Sequence, residues 1–427
     1  MEITAKYRNN RSFLVILSVF AVLAACYSFA DRLKWGPDEP AHFIYIRSMA
    51  TDFKPPPISH TGSHSDDFIS SHEGHQPPLY YALMAIPYTA LKAAGMSNDG
   101  IWRALRLLNI PLGMIWICLV YTLAHVFFRD NRYAQVTTAF VALIPTAPYM
   151  AGVINNENLI SLIFTWSLVP MLNFLRSGKL TPKQAIFSGL LIGLAMLTKA
   201  QGLVLLPLFL IASFAVCRRN RYKNLLEVLR TNMLVIGTTA FVSGWWFVRS
   251  WFVYGTPMPH SFYRPMLESD LVNLVFLPFG GLNLIAACTR GLYGYFWTPF
   301  WLVWPFMSFR VYFYLLSAIT VPVIVGLAIR LWRNGNIDYR SLAFLTTAPI
   351  LTWALLIIYI LKVDSGTNLQ GRLFLSSAGV IGILWVLGFD GLLKSERAKR
   401  IGTIVGLGLM LLANFAVIGC AIALYHT

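Results

Sequence analysis

Acidic and basic side chains stand beside several apolar segments of this chain, where they could together support a group-transfer reaction. The acids singled out are Asp38, Glu39 and Glu157, and the cations are Lys199, Arg249 and Arg372. A carboxylate near a lipid boundary can act as a general base on an acceptor hydroxyl. Cations there can bind the phosphate of a lipid carrier and stabilise the charge that develops on it as it leaves. These residue types therefore indicate transfer of a group from a lipid phosphate to an acceptor.

The composition indicates what kind of element must position these side chains. Of the 427 residues, 57% are apolar and 12% are charged, whereas roughly a quarter of the residues of a soluble protein are charged. This balance excludes a cytosolic enzyme, a disordered protein and a secreted disulfide scaffold, and it indicates a chain that crosses a bilayer many times. The 5 cysteines are scattered without metal-ligand spacing, and their odd number argues against a disulfide framework.

Eleven apolar segments are candidates for membrane-spanning helices, because a span needs roughly 20 residues. They cover residues 12–30, 101–128, 134–153, 159–175, 184–198, 202–216, 231–253, 311–332, 342–361, 373–389 and 401–424. The two segments beside Lys199 are short, and basic residues flank the pair, so we interpret them as a hairpin that crosses twice. Residues 23–26 also fit a lipoprotein signal, but the apolar segment continues to Ala30 and is kept as the first span. The sequence thus predicts an all-α polytopic membrane protein with a single transmembrane domain, residues 1–427.

The excess of basic residues follows from this topology. The chain has 34 Lys and Arg against 18 Asp and Glu, a balance that by itself would suggest a nucleic-acid partner. With the N-terminus inside, 20 of the 34 basic residues lie in short inner segments, and 12 of the 18 acids lie on the outer side, as the positive-inside rule requires. Anionic lipid of the inner leaflet then explains the net charge, and no nucleic-acid partner is expected.

An ambiguous apolar segment lies in the second large outer loop, residues 254–308. Residues 271–289 are apolar but are interrupted by Pro278 and two glycines. If this segment spanned the membrane, the basic residues of the later inner loops would lie outside, against the positive-inside rule. We therefore predict a re-entrant or interfacial segment here, with the N-terminus of the chain inside and the C-terminus outside.

The first outer loop, residues 31–100, is predicted to contain two helices along the membrane surface. It holds 8 of the acids and five of the eight histidines. Asp38 stands two residues before Pro40, which is a favourable helix start. The residues that then share one helix face are Asp38, His42, Tyr45 and Met49. A second helix is predicted to begin at the pair Pro77-Pro78.

The predicted topology gathers polar side chains on the outer side, beside this loop. Asn156 and Glu157 lie at one outer hairpin tip, and Lys199 lies at the other. Arg249 and Arg372 stand at the outer ends of later spans. Ionisable groups near membrane depth are costly and usually face a cavity, so we predict that these residues line one outward-open site.

Several motifs of the chain resemble those of a known family. The segments are Trp35-Gly36-Pro37-Asp38-Glu39-Pro40-Ala41-His42-Phe43, His75-Gln76-Pro77-Pro78-Leu79-Tyr80-Tyr81, Asn155-Asn156-Glu157, Leu197-Thr198-Lys199, Arg249 with Tyr254-Gly255-Thr256-Pro257, and Gln370-Gly371-Arg372. Together they resemble the integral-membrane glycosyltransferases of the GT-C fold, of the protein O-mannosyltransferase and aminoarabinose-transferase type. The resemblance covers about residues 12–390, and its first-loop motifs are the more specific ones. In the aminoarabinose-transferase type a lysine precedes the Pro-Pro pair and contacts the donor phosphate, whereas this chain has Gln76 there.

The resemblance implies a reaction and a set of roles. The donor would be a sugar linked to undecaprenyl phosphate, and the acceptor would be an envelope glycan, lipid or protein at the periplasmic face of a bacterial inner membrane. Asp38 would be the catalytic base and Glu39 its partner. The donor phosphate would be bound by Arg372, Lys199 and Arg249. Substrate contacts would come from His42, His75, Gln76, Tyr80, Tyr81, Asn156 and Glu157.

Structural interpretations stand beside these functional ones. Asp38 could only cap its helix, and Glu39 could only favour the helix dipole. Lys199 and Arg372 could be anchors whose charged ends extend toward the membrane surface. The aromatic cluster at residues 293–304 is interpreted as an interfacial belt rather than as a sugar platform.

Alternatives also remain for the metal content and for the function. The first-loop histidines could bind a metal: they are His42, His60, His64, His72 and His75. Their loose spacing does not build a closed ligand set, so no obligatory metal cofactor is expected, and an assisting divalent ion is left open. Alternative functions are a ligase of lipid-linked oligosaccharide and a non-enzymatic lipid or glycan transporter. Transporters often carry inverted repeats, and the sequence shows none.

Overall fold

The structure is a computed structural model that describes residues 11–58, 72–219, 225–259, 293–294, 296–303, 305–333, 337–362 and 371–425. Within these ranges the regular elements are helices, and no residue lies in a β-strand. The α-helices are α1 (Arg11–Ala30), α2 (Glu39–Thr51), α3 (Leu79–Ala93), α4 (Asn98–Phe128), α5 (Asn131–Ala142), α6 (Thr146–Ala151), α7 (Glu157–Ser177), α8 (Pro182–Thr198), α9 (Leu205–Arg219), α10 (Leu225–Tyr254), α11 (Phe300–Val303), α12 (Phe309–Trp332), α13 (Tyr339–Lys362), α14 (Ala378–Leu392) and α15 (Glu396–Tyr425). Short 3₁₀ helices cover His72–His75, Ala200–Val204 and Gly371–Ser377. The predicted all-α class is confirmed.

Eight helical segments within these ranges are long and apolar enough to cross a membrane. They are Arg11–Ala30, Asn98–Phe128, Glu157–Ser177, Ala200–Arg219, Tyr314–Trp332, Tyr339–Ile358, Gly371–Leu392 and Glu396–Tyr425. Two further predicted spans correspond to α8, which is apolar but shorter, and to α10. Neither of these two helices is among the eight candidates, so the predicted count of eleven spans stays a prediction.

The predicted span 134–153 is not one continuous helix. It consists of α5 and α6, which are separated by residues 143–145. Pro145 has no N–H, and its ring conflicts with the carbonyl of the residue four positions earlier, which favours a kink or a break in the helix here. The carbonyl of Leu143, which lies at this break, accepts a hydrogen bond from Asn414 Nδ2 of α15 at 2.9 Å. The break thus ties the last helix to the middle of the bundle.

Small residues bring α12 and α14 into close contact. A Cβ atom added to Gly326 of α12 would lie 2.1 Å from the carbonyl oxygen of Gly388 in α14. Glycine at both positions therefore permits a backbone approach that any other residue would prevent. This contact fixes α14, which directly follows the 3₁₀ helix Gly371–Ser377 that carries Arg372.

Charged side chains at one end of the bundle form ion pairs that connect distant helices. Arg132 contacts Glu396 at 2.7 Å, and Arg176 contacts Asp338 at 2.9 Å. Asp390 contacts two further cations of this end, which are Arg330 at 3.2 Å and Lys399 at 2.7 Å. The first outer loop, Glu157 and Lys199 lie at the opposite ends of their helices from these pairs.

Both helices predicted in the first outer loop are present. The first, α2, begins at Glu39 with a proline in its first turn, and α3 begins at Leu79 with Pro78 at the N-cap position. Asp38 occupies the N-cap position of α2, but its side chain makes no capping hydrogen bond. The interpretation of the Asp38 carboxylate as a helix cap is therefore wrong. The predicted re-entrant segment 271–289 lies outside the described residues, as does Gln370 of the Gln-Gly-Arg motif.

Candidate functional site

The candidate site begins with a tight turn, residues 31–38, between α1 and α2. Backbone hydrogen bonds within it connect Trp35 N to Arg32 O at 3.2 Å and Glu39 N to Gly36 O at 3.0 Å. Asp38 ends the turn in the left-handed region, with φ of 57° and ψ of 13°. This region is unfavourable for residues with a Cβ by about 1–2 kcal/mol, although aspartate tolerates it better than most. Such a conformation persists only where the surroundings hold it.

The Asp38 carboxylate forms an ion pair with Arg372. The Nη2 atom of Arg372 donates to Asp38 Oδ2, and its Nη1 atom donates to the carbonyl of Pro37 at 3.1 Å. The side chain of Asp38 is 32% exposed, whereas that of Arg372 is 8% exposed. Since Arg372 is buried in an ion pair, its interpretation as an anchor that extends to the membrane surface is wrong. Its Nε atom is buried and has no hydrogen-bond partner within the described ranges.

A second ion pair joins the end of α8 to the beginning of α7. Lys199 Nζ donates to a carboxylate oxygen of Glu157 and to Asn156 Oδ1, the latter at 3.1 Å. Both charged side chains are buried, and Glu157 is only 1% exposed. The interpretation of Lys199 as a surface anchor is therefore also wrong. The long-range electrostatic interactions of Arg372 include the Glu157 carboxylate, so the two ion pairs lie near each other.

Amide side chains connect this second ion pair to the first outer loop. Asn156 Nδ2 lies 3.5 Å from Gln76 Oε1 and 3.4 Å from the hydroxyl of Tyr81. Gln76 Nε2 lies 3.2 Å from His75 Nε2. These contacts bring the His-Gln-Pro-Pro segment and the Asn-Asn-Glu segment together, as the sequence predicts.

A buried histidine completes this region. His42 Nδ1 lies 2.9 Å from the hydroxyl of Tyr81, and the ring of Tyr81 stacks on that of Tyr45 with centroids 3.7 Å apart. The Tyr81 hydroxyl also donates to Glu73 Oε2 at 3.5 Å. Burial lowers the pKa of His42 to about 4, against the opposing effect of the nearby Glu73 carboxylate. His42 is therefore neutral at pH 7.

We name the two neighbouring ion pairs, together with the side chains connected to Lys199 and Glu157 by hydrogen bonds, the Asp38 cluster. Its members are Asp38, His42, Glu73, Gln76, Tyr81, Asn156, Glu157, Lys199 and Arg372. It contains three carboxylates and two cations around one neutral histidine, and the exposed part of Asp38 opens it to a substrate. The arrangement can therefore remove a proton at Asp38 and bind an anion at Arg372.

Glu39 belongs to a different group of side chains, although it directly follows Asp38. Arg106 of α4 donates from Nε to Glu39 Oε1 at 2.7 Å and from Nη2 to Glu39 Oε2 at 2.5 Å. Its other N–H groups donate at 2.9–3.0 Å to the carbonyls of Ser28, Asp31 and Arg32. The Glu39 carboxylate also accepts from Ile154 N at 3.0 Å and from Gly36 N at 3.3 Å. Glu39 is thus saturated with hydrogen bonds and completely buried, which indicates a structural role.

Asp31 is the third member of this second group, which we name the Arg106 cluster: Asp31, Glu39 and Arg106. Asp31 Oδ2 lies 3.6 Å from Arg106 Nη2 and accepts a hydrogen bond from the Tyr149 hydroxyl at 3.1 Å. Burial raises the pKa of Asp31 to about 7, against the opposing charge of Arg106. Arg106 is not among the residues predicted from the sequence, although an arginine inside an apolar span is rare and needs a partner.

The remaining predicted site residues lie at the margin of the Asp38 cluster or behind it. Tyr80 is fully buried and donates to Asn109 Oδ1 at 3.1 Å, so it supports the ring of Tyr81 from behind. The guanidinium of Arg249 lies 5.3 Å from the ring centre of Trp246, in its own helix. Arg249 thus packs on an aromatic ring, and no hydrogen bond joins it to the Asp38 cluster in the part of the chain that the structure describes, so its role in donor binding stays a prediction.

The structure also bears on the metal question. Within the described ranges, no three His, Cys, Asp or Glu side chains lie together in a way that could hold a metal ion. His60 and His64 of the first-loop histidines lie outside those ranges. The expectation that no obligatory metal is needed therefore stays a prediction.

Comparison with known proteins identifies the fold. The sequence profile of the dolichyl-phosphate-mannose-protein mannosyltransferase family matches residues 75–246. That range includes Gln76, Glu157 and Lys199 but neither Asp38 nor Arg372. A comparison with characterised protein sequences finds no significant match.

Three solved structures resemble the chain over nearly its whole length. ArnT from Cupriavidus metallidurans, bound to undecaprenyl phosphate, is 14% identical with a TM-score of 0.53, over 93% of this chain and 62% of ArnT. The apo oligosaccharyltransferase from Archaeoglobus fulgidus is 14% identical with a TM-score of 0.51, over 97% of this chain and 56% of the oligosaccharyltransferase. The arabinosyltransferase EmbB from Mycobacterium smegmatis is 12% identical with a TM-score of 0.51, over 92% of this chain and 31% of EmbB. This chain therefore spans less than two thirds of each of them, and it has the GT-C fold that they share.

Proposed function

We propose that this GT-C-fold chain is a glycosyltransferase that moves one sugar from a polyprenyl phosphate to a hydroxyl of an acceptor. The observation that carries the proposal is the ion pair between Asp38 and Arg372, beside the second pair of Glu157 and Lys199. It brings a partly exposed carboxylate and two cations into one cluster. The family profile over residues 75–246 and the resemblance to ArnT, which was solved with undecaprenyl phosphate, support the same donor class.

Asp38 is the general base in the proposed reaction. It takes the proton of the acceptor hydroxyl, and the acceptor oxygen bonds to the anomeric carbon of the sugar. The bond from that carbon to the phosphate oxygen breaks, and its electron pair leaves with the polyprenyl phosphate. Proton removal by a positioned carboxylate contributes typically 10²–10⁴-fold to such a step.

Arg372 stabilises the negative charge on the leaving phosphate. A guanidinium can bind phosphate through two N–H groups at once. A bound phosphate would give a partner to the Nε atom, which is buried and has none within the described ranges. Arg372 Nη2 already contacts Asp38, so one side chain touches both the base and the phosphate. Lys199 provides a second positive charge, which is fixed by Glu157 and Asn156.

We place the reaction at the periplasmic face of a bacterial inner membrane. The ion pairs of Arg132, Arg176 and Lys399 lie at the end of the bundle opposite the Asp38 cluster. If that basic end faces the cytoplasm, as the positive-inside rule predicts, the Asp38 cluster faces outward. The acceptor would then be an envelope glycan, lipid or protein that exposes a hydroxyl there.

The experiment uses the full chain in lipid nanodiscs. A polyprenyl-phosphate monosaccharide or a polyprenyl-diphosphate oligosaccharide, each labelled in the sugar, is mixed with cell-envelope extract. Free polyprenyl phosphate and the label in acceptors are then measured. The proposal predicts release from the phosphate monosaccharide and loss of that release in Asp38→Asn. Cleavage of only the diphosphate donor would identify a ligase, and binding without cleavage of either donor would fit a transporter. Both outcomes would contradict the proposal.

A further inference from the structure

We infer that Arg106 is a positioning residue for the reaction, which it supports by holding the turn that carries Asp38. The inference rests on the proposed role of Asp38 as the base. Arg106 is completely buried in α4, so a substrate cannot contact it directly. It therefore acts through the backbone of residues 31–38 and through the Glu39 carboxylate.

All five N–H donors of Arg106 are used on this one segment. Two of them bind the Glu39 carboxylate, which begins α2 immediately after Asp38. The other three bind carbonyls at the end of α1 and the start of the turn, which are those of Ser28, Asp31 and Arg32. The guanidinium therefore holds both ends of the turn at once, from a rigid neighbouring helix. An arginine presents these five donors in a fixed planar fork, which a lysine cannot reproduce with its three donors.

Asp38 needs such support because of its backbone conformation. Its φ of 57° lies in the left-handed region, where a residue with a Cβ stays only if its neighbours are fixed. The two hydrogen bonds that Glu39 accepts from Gly36 N and Ile154 N fix the residue after Asp38 against both the turn and the loop before α7. The carboxylate of Asp38 is thereby held toward Arg372. Loss of the Arg106 fork would let Asp38 relax away from the phosphate site.

The sharpest test of positioning is a cycle of four proteins: wild type, Arg106→Lys, Asp38→Asn and the double variant. Transfer of labelled sugar is measured at varied donor concentration, which gives kcat and the donor KM of each protein. Arg106→Lys is expected to reduce kcat by roughly 10–100-fold, the usual effect of a small misplacement, while the donor KM changes by less than about twofold. In the Asp38→Asn background the same substitution should change the residual rate by less than about twofold. Equal losses in both backgrounds would overturn the inference, because a merely structural arginine slows every background alike.

Arg176 provides a matched control at the opposite end of the bundle. It also binds a carboxylate, that of Asp338, and the backbone carbonyls of Val126 and Phe127. Arg176→Lys is therefore expected to lower thermal stability without changing kcat per folded molecule. If it reduces kcat as strongly as Arg106→Lys does, the effect is general loosening and the inference fails.

A readout independent of activity separates this inference from the proposed function. Hydrogen exchange of peptides that cover residues 28–42 should become faster in Arg106→Lys and stay unchanged in Arg176→Lys. If Arg106→Lys does not fold, Glu39→Gln serves in the same cycle and the same exchange measurement, since it keeps the shape and weakens the same fork. Unchanged exchange in the variant overturns the positioning role. If exchange becomes faster in the variant but the wild type transfers no sugar from any donor, the proposed function is overturned. The positioning role of Arg106 in catalysis then falls with it.

Discussion

Asp38 and Glu39 are consecutive carboxylates with opposite surroundings. Glu39 is completely buried, and its two oxygens accept four hydrogen bonds from Arg106, Gly36 and Ile154. The Asp38 side chain is 32% exposed, stands in a left-handed conformation and forms an ion pair with Arg372. A saturated carboxylate has no capacity left for a substrate, whereas a strained and partly exposed one can exchange its partner. We therefore propose a structural role for the Arg106 cluster and a catalytic role for the Asp38 cluster.

The largest effect that tests this comparison is expected from removing Glu39. Glu39→Ala would leave the Arg106 guanidinium buried without its carboxylate, and breaking a buried ion pair in this way costs roughly 3–5 kcal/mol. Most of the variant should therefore fail to accumulate as monodisperse protein, or should melt far below the wild type. Asp38→Asn is the matched control, since it alters the adjacent carboxylate and should shift the melting temperature much less. Equal losses of stability in the two variants would end the distinction between the clusters.

The next effect concerns donor binding by the Asp38 cluster. Arg372→Ala should raise the donor KM by roughly 10–100-fold, because hydrogen bonds to a charged group contribute about 1.5–3 kcal/mol each. Arg372→Lys should restore only part of this, since an ammonium lacks the planar fork. Transfer measured at varied donor concentration gives the KM of each protein. Arg249→Ala is the control variant, because it removes a different cation. If it raised the donor KM more than Arg372→Ala does, the phosphate site would lie nearer α10.

The smallest effect is a pH dependence of stability at His42. The pKa of His42 is lowered by burial to about 4, while the unfolded chain takes the proton near pH 6.5. Between these values the unfolded state binds more protons, so acidification from pH 6.5 toward 4 destabilises the native state. The wild type should therefore lose about 2 kcal/mol of unfolding free energy relative to His42→Gln by pH 5. Melting temperatures of the two proteins, measured as the pH falls, should converge accordingly. The charged groups that face His42 are Glu73, Asp38, Lys199 and Arg372. If the difference in melting temperature between the two proteins stayed constant from pH 7 to pH 5, His42 would not be the neutral group that the structure implies.

Much of the framework follows from local sequence signals. Pro40 and Pro78 mark the beginnings of the two first-loop helices, and both helices are present. The outer ends of the predicted spans bring Glu157, Lys199 and Arg372 to one cluster with Asp38, as expected from their positions alone. These features depend on hydropathy and on the positions of prolines at helix starts, and both can be read directly from a single sequence.

Other features depend on tertiary contacts that no local pattern displays. The fork of Arg106 to Glu39 joins residues 67 positions apart, so neither residue could reveal its partner by spacing. The left-handed backbone of Asp38 is imposed by the turn around it and not by its own preference. The break between α5 and α6 at Pro145 is not displayed by hydropathy, because its flanks are apolar, and proline alone does not predict it, because Pro111 and Pro170 lie inside continuous helices.

The most direct test of the account is the rate of sugar transfer by folded Asp38→Asn protein. The variant is purified in nanodiscs, shown to melt near the wild-type temperature, and assayed with the polyprenyl-phosphate donor that the wild type uses. The account predicts a loss of roughly 10²–10⁴-fold in kcat with donor binding retained, because only the general base is removed. Transfer at close to the wild-type rate by this folded variant would remove Asp38 from the chemistry and contradict the assignment of the reaction to its cluster.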